Sequence, residues 1–328
     1  MHKVCGGLPC RKARIGNWSL TLYTLPYCGS KSVWISRNAA PKDGIQMTDF
    51  MPQNDSVIRL AFFIGIFVLV ALVELVAPRR PLTTSKASRW FGNIGIVVIN
   101  TVLLHIIFPA TAVGVSLWVQ RQGWGVLTNA DLPYWLKVAV SVVLLDFVIY
   151  LQHVMFHAVP TLWRIHMMHH ADMDYDVTTG TRFHPIEIII SMMIKIAAIM
   201  LLGAPAVGVI IFEILLNGTA MFNHGNFFIP LGIDRMLRLV VVTPDMHRVH
   251  HSVFPSEANS NFGFNLPWWD RVMGTYRAQP SRGHEGMTIG LNQFRDPARL
   301  TLPWLLALPF IGKSGSYAIN RRGTKSEG

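Results

Sequence analysis

Apolar residues in this chain fall into long runs divided by short polar links. The first run, from Val57 to Ala77, covers roughly 31 Å at about 1.5 Å per residue, enough to cross a hydrocarbon core. A second, Trp90 to Val119, contains Pro109, which predicts a kink. A third runs from Pro133 to Phe156. The region Ile186 to Phe222 is divided by Gly203-Ala204-Pro205 into halves short for independent spans, so a tight helical hairpin dipping into the membrane is predicted there. The last apolar stretch, 300–311, suits an interfacial segment. The predicted fold is an all-α polytopic membrane protein. Its expected divisions are a leader over 1–46, N-terminal spans over 47–132, a histidine-bearing domain over 133–280 with the hairpin 186–222, and an interfacial segment with a basic tail over 281–328.

Composition agrees with that pattern. Half of the 328 residues are hydrophobic and only 14% are charged. The formal charge of +11 is gathered at the two ends and in links beside apolar runs, which favours a membrane-facing role and argues against nucleic acid as partner. Arg79, Arg80, Lys86 and Arg89 follow the first span and predict that this end faces the cytoplasm, across an inner membrane. The link from Gln120 to Leu132 carries a single Arg, as an external loop should. Cys5, Cys10 and Cys28 all precede residue 30, so no cysteine accompanies the main domain. The leader lacks sustained helical periodicity. Translation from Met47 or Met51 would remove it; a basic segment without fixed structure is the other expectation.

The chemistry lies in the histidines. Ten of thirteen fall between positions 153 and 251. His153 and His157 are four apart, so on a helix they share a face. The box His166-x-x-His169-His170 returns as His247-x-x-His250-His251. Adjacent imidazoles on a helix diverge by about 100°, enough to reach two different ions. His184 and His224 stand at the two ends of the predicted hairpin, which would return both to the face holding the boxes. Imidazole suits zinc, copper, iron or nickel, and eight to ten such ligands exceed what one ion takes. No Glu-x-x-His occurs, so a ferritin-like carboxylate site is not supported. Asp146, Asp172, Asp174, Asp176, Glu187 and Asp245 flank the boxes; each reads more readily as a solvated loop residue or cap than as an orienting partner. His2, His105 and His284 are read as ordinary histidines. Trp268 and Trp269 are expected to anchor at the interface, and Asp270-Arg271 to close the fold.

The order H-V-M-F-H, L-W-R-I-H-M-M-H-H, T-R-F-H-P-I-E, F-N-H-G-N and T-P-D-M-H-R-V-H-H-S, closing with N-F-G-F-N-L-P-W-W-D-R-V-M-G-T-Y, resembles the fatty acid hydroxylase/sterol desaturase superfamily over residues of about 57 to 280. That resemblance implies an O2-dependent, non-haem di-iron oxidoreductase that hydroxylates or desaturates C–H bonds of a membrane lipid. It carries the catalytic ligand role to His153, His157, His166, His169, His170, His247, His250 and His251, and less securely to His184 and His224. No dinucleotide or haem-attachment motif is present, so a ferredoxin, cytochrome or reductase would have to supply electrons. A membrane zinc hydrolase and a histidine-rich metal transporter are the rival readings of the same ligands.

Overall fold

The computed structural model describes residues 3–5, 8–15, 18–22, 51–311 and 313–320, in two units, Met1–Phe50 and Met51–Gly328. In the first unit, β1 (Lys3–Cys5), β2 (Leu8–Ile15) and β3 (Trp18–Leu22) form an antiparallel sheet in sequence order, with Lys3 opposite Cys10 and Ile15 opposite Trp18. A leader without regular structure is the sequence expectation. The alternation Trp18-Ser19-Leu20-Thr21-Leu22 is a period-two signal that a search for helical runs passes over. Cys28, and the basic tail beyond residue 320, lie outside the described residues.

The second unit is helical throughout its described residues, apart from isolated bridges at Pro78–Phe227 and Ser252–Ile289. Helix α1 (Asp55–Val76) is followed by α2 (Lys86–Ile107) and α3 (Ala112–Gln122). The predicted kink at Pro109 is a full break, and the Thr111 side chain accepts from Gly114 N–H to start α3. Helix α4 (Tyr134–Ala158) leads straight into α5 (Pro160–His170), where Pro160 at the first helical position separates the two. The hairpin is present as α6 (Pro185–Leu202) and α7 (Ala206–Asn223). Its turn requires glycine at two places. Gly203 has φ +65° and Gly125 has φ +87°; a Cβ on Gly125 would collide with the Gly203 backbone, and one on Gly203 with Thr128 Oγ1 and the Trp124 carbonyl. The link after α3 is thereby seated against the hairpin tip.

Among the described residues, five apolar segments are long enough to cross a membrane: α1, α2 with α3, α4, α6 and α7. Each half of the hairpin, at 18 residues, meets that length. Helix α1 turns Leu60, Phe62, Ile64, Leu69 and Leu72 outward, an apolar face that suits lipid. Helix α7 is the most enclosed, burying Val209, Ile210, Phe212 and Met221. Two shorter helices complete the frame. Helix α8 (Pro244–His250) is capped by Thr243, and α9 (Leu302–Ile311) buries Leu305 and Leu308 in a cluster with Ile96, Trp163 and Met167. This segment thus packs one side against the helical body and leaves Trp304, Phe310 and Ile311 exposed.

Candidate metal centre

Nine of the ten predicted ligand histidines come together, in two adjacent groups. His153, His157, His166, His170 and His250 form one, and His169, His224, His247 and His251 the other; within each, the candidate ligand atoms lie within 4.8 Å of one another. All nine are buried. Helix α4 supplies His153 and His157 from the same face, as their spacing predicts. Each H-x-x-H-H box is divided between the groups. From α5, His166 and His170 enter the first and His169 the second; from α8 and its end, His247 and His251 enter the second and His250 the first. The His170 and His251 rings stack at 4.5 Å where the groups meet.

Six of the nine rings are oriented by what their Nδ1 atoms touch. His153 Nδ1 donates to the Phe262 carbonyl at 2.7 Å, His250 to Ser260 at 2.7 Å, His224 to Ala220 at 2.7 Å and His169 to Arg182 at 3.2 Å. A carbonyl can only accept, so Nδ1 carries the proton and Nε2 keeps its lone pair. His166 Nδ1 meets Glu187 Oε1 at 2.7 Å, and His157 Nδ1 meets Asn259 Oδ1 at 3.0 Å. Burial, reinforced by the neighbouring imidazoles, pushes His169, His170, His247, His250 and His251 well below the usual histidine range. Burial also pushes His224 down to about 3. These six rings are therefore neutral at physiological pH, the form that binds metal.

The residues present fit a metal pair. The Nε2 atoms of His153, His166 and His250 are buried with no hydrogen-bond partner. His157 Nε2 faces His170 Nε2 at 3.2 Å, and His224 Nε2 faces those of His169 at 3.2 Å and His251 at 3.1 Å. His224 and His169 both keep their protons on Nδ1, against carbonyls, so their facing Nε2 lone pairs repel unless a cation lies between them. A metal at about 2.1 Å from each nitrogen sets ligand edges of roughly 3.0 Å in octahedral and 3.4 Å in tetrahedral geometry. The observed separations fall in that interval.

His184 does not join either group. Its Nδ1 accepts from Ile186 N–H as the cap of α6, and its Nε2 donates to the Leu306 carbonyl at 3.2 Å. Both nitrogens are committed, so the hairpin brings His224 to the site and leaves His184 as a cap. His284 is buried beside Asp245, 3.6 Å from its carboxylate and outside both groups.

The flanking carboxylates are buried rather than solvated. Glu187 alone of the six meets one of the nine imidazoles. Asp146 accepts from Asn265 and Leu266 N–H and from Trp269 Nε1 at 2.7 Å, and Asp270 accepts from Phe262 and Gly263 N–H. Together they fix the loop whose Phe262 carbonyl orients His153, and Trp269 helps to tie that loop to α4. Arg89, from α2, binds Asp172 through two nitrogens at 2.8 Å and Asp176 at 2.6 Å. Asp174 takes the N–H and hydroxyl groups of both Thr83 and Thr84. Replacement of Glu187 by Gln keeps the shape but weakens the acceptor behind His166. Metal affinity is expected to fall about 10- to 100-fold, read by competition with a chelator, and an unchanged affinity would remove Glu187 from the support of the site.

A cavity of about 620 Å³ reaches the first group at His153, His166 and Glu187 and continues between α1, α2, α4, α6 and α7. Its wall includes Arg59, Lys195 and Glu213, which the sequence reading passes over. The available signal was charge within apolar runs long enough to span a membrane.

A family profile for fatty acid hydroxylases matches residues 138–275, a segment that holds all nine grouped histidines. The chain is 31% identical over 227 residues to the ornithine lipid hydroxylase OlsE of Rhizobium tropici, covering 66% of each protein. It is 31% identical over 150 residues to the alkylglycerol monooxygenase of Xenopus tropicalis and 28% over 166 residues to that of Homo sapiens. Those matches cover 45% and 50% of this chain but only 32% and 35% of those proteins. No solved structure matches. The histidine order, the membrane-length helices that carry it and these relatives agree: the chain belongs to the fatty acid hydroxylase/sterol desaturase superfamily.

Proposed function

We propose that this protein is an O2-dependent hydroxylase of a membrane lipid, with two iron ions held by the two imidazole groups. The carrying observation is the convergence of nine buried imidazoles, six of them held from outside through Nδ1, into a group of five and a group of four beside a largely apolar cavity. His153, His157, His166, His170 and His250 would hold one ion, and His169, His224, His247 and His251 the other. When bound, the pair supplies reductive activation of O2 and oxidation of an unactivated C–H bond. The protein's part is orientation. Carbonyls of residues 182, 220, 260 and 262 hold Nδ1 protons and point Nε2 inward, and Glu187 does the same for His166. Phe183 and Phe264, packed against His169 and His153, shield the groups from water. The lipid would enter the cavity with the reacting carbon toward His153 and His166. Hydroxylation is favoured over desaturation by the relatives' names. Electrons would come from an external ferredoxin, cytochrome or reductase, and Arg79, Arg80, Lys86 and Arg89 support a cytoplasmic setting for that face.

The test is elemental analysis of protein purified without added metal, with O2 uptake and mass spectrometry of lipid extracts from cells with and without the gene. About two irons per chain, O2 consumption and lipids heavier by one oxygen are expected. Zinc with a hydrolysed lipid would replace this reading by the hydrolase, and metal flux across vesicles without lipid change by the transporter.

A further inference from the structure

The cavity beside the first histidine group carries a polar seam that starts at Glu187, the acceptor behind His166, and runs on beyond the metal ligands. Glu187, Ser191 and Lys195 follow one another at four-residue intervals on α6, so they share a face. Eight residues place Lys195 roughly 12 Å along the axis from Glu187. All three line the cavity. Ser191 Oγ accepts from Gln152 Nε2 at 3.1 Å, and Lys195 Nζ pairs with Glu213 Oε1 at 2.6 Å. The other Glu213 oxygen takes Arg59 at 2.8 Å, and Arg59 also binds Asp55 at 2.9 Å. Two cations and two anions on three helices thus form one chain of formal charge zero. The wall around it is largely apolar, with Phe63, Leu104, Phe156, Met192 and Leu216, and carries neutral polar groups at Asn100, Thr101 and Asn217.

Such a chain needs a reason. Buried ion pairs seldom stabilise more than apolar residues of the same volume, and charges inside membrane helices mark paths for ligands. Balance decides which ligand. A carboxylate brought beside Glu213 would add a third anion in a medium of low dielectric, with every cation of the chain already paired. A hydroxyl, ether or amide group exchanges hydrogen bonds with Lys195, Arg59 and Glu213 and leaves the charge unchanged.

We propose that the Asp55–Arg59–Glu213–Lys195 chain reads the polar group of the lipid and selects an amphiphile of zero net charge over a long-chain anion or cation. The inference rests on the cavity being the lipid's site. It is tested on the purified full-length protein with three photoreactive probes that share a hexadecyl chain bearing a mid-chain diazirine. Their heads are a glycerol ester, a sulfonate and a quaternary ammonium, and adducts are counted by peptide mass spectrometry on the cavity-lining segments of α1, α2 and α6. The glycerol probe is expected to label at least about tenfold more than either charged probe. Glu213→Gln leaves one excess positive charge and should shift labelling toward the sulfonate. Lys195→Met leaves one excess negative charge and should shift it toward the ammonium. The double variant, balanced again, should return to the glycerol probe. Equal labelling by all three probes in the unmodified protein overturns the charge reading, as do single variants that keep the original order. Should a single variant fail to fold, the unmodified protein and the double variant still decide. Adducts without charge order remove the selectivity alone, whereas no cavity adduct from any probe removes the lipid site itself. Neither result depends on which metal the protein holds.

Discussion

Replacing His169 by alanine is expected to lower lipid turnover by more than about a hundredfold, beyond what loss of a supporting contact costs. It should also remove more metal than replacing His250. The reason is the division of the boxes. His169 belongs to the group of four, which would fall to three nitrogens, whereas His250 belongs to the group of five, which would keep four. Four ligands still complete a tetrahedral site; three leave a position open. Elemental analysis of the two variants, folded to the same extent by thermal unfolding in detergent, separates the cases. Equal metal content in both would show the grouping to be wrong, and undiminished turnover in both would end the assignment of these rings as ligands.

The largest expected effect on stability comes from Arg89→Met. Arg89 lies in α2 and is 4% exposed, and its partners Asp172 and Asp176 are 0% and 1% exposed, so water cannot replace it. Burial alone pushes the Asp172 carboxyl up, but Arg89 and then Arg182 outweigh it and hold that group well below the usual carboxylate range. Removing the guanidinium leaves two carboxylates buried together without their main cation. Loss of one partner of a buried pair costs roughly 3–5 kcal/mol. The cost should reach the metal centre, because the same loop carries the Arg182 carbonyl that orients His169. Arg89→Lys keeps the charge without the two-pronged contact and should fall between the parent and Met. Unfolding midpoints in detergent measure all three; a Met variant as stable as the parent would show that the network carries no such weight.

The spans were readable from sequence because apolar length is a local property. Val57–Ala77 became Asp55–Val76, and Pro133–Phe156 became Tyr134–Ala158, shifts of one or two residues at each end. The pairing of His153 with His157 was readable for the same reason, since one helix sets it. The site beyond that was not. No spacing tells that His153 leans on the Phe262 carbonyl or His250 on that of Ser260, because these contacts join segments about a hundred residues apart in one case and a loop return in the other. Asp172, Asp174 and Asp176 look like a solvated acidic loop in sequence. Their burial depends on Arg89, Thr83 and Thr84, from a segment nearly ninety residues earlier. His184 misled because its place at a hairpin end matched that of His224. A cap and a ligand are distinguished only by what each nitrogen meets.

The crossed contribution of the boxes sets how the centre can assemble. Because α5 and α8 each give imidazoles to both groups, no single segment owns a complete coordination sphere. If two cations bind as proposed, the first to arrive would clasp both helices and bring into register the donors of the second. Loading would then be cooperative: partially supplied protein should sort into empty and doubly filled molecules rather than accumulate singly filled ones.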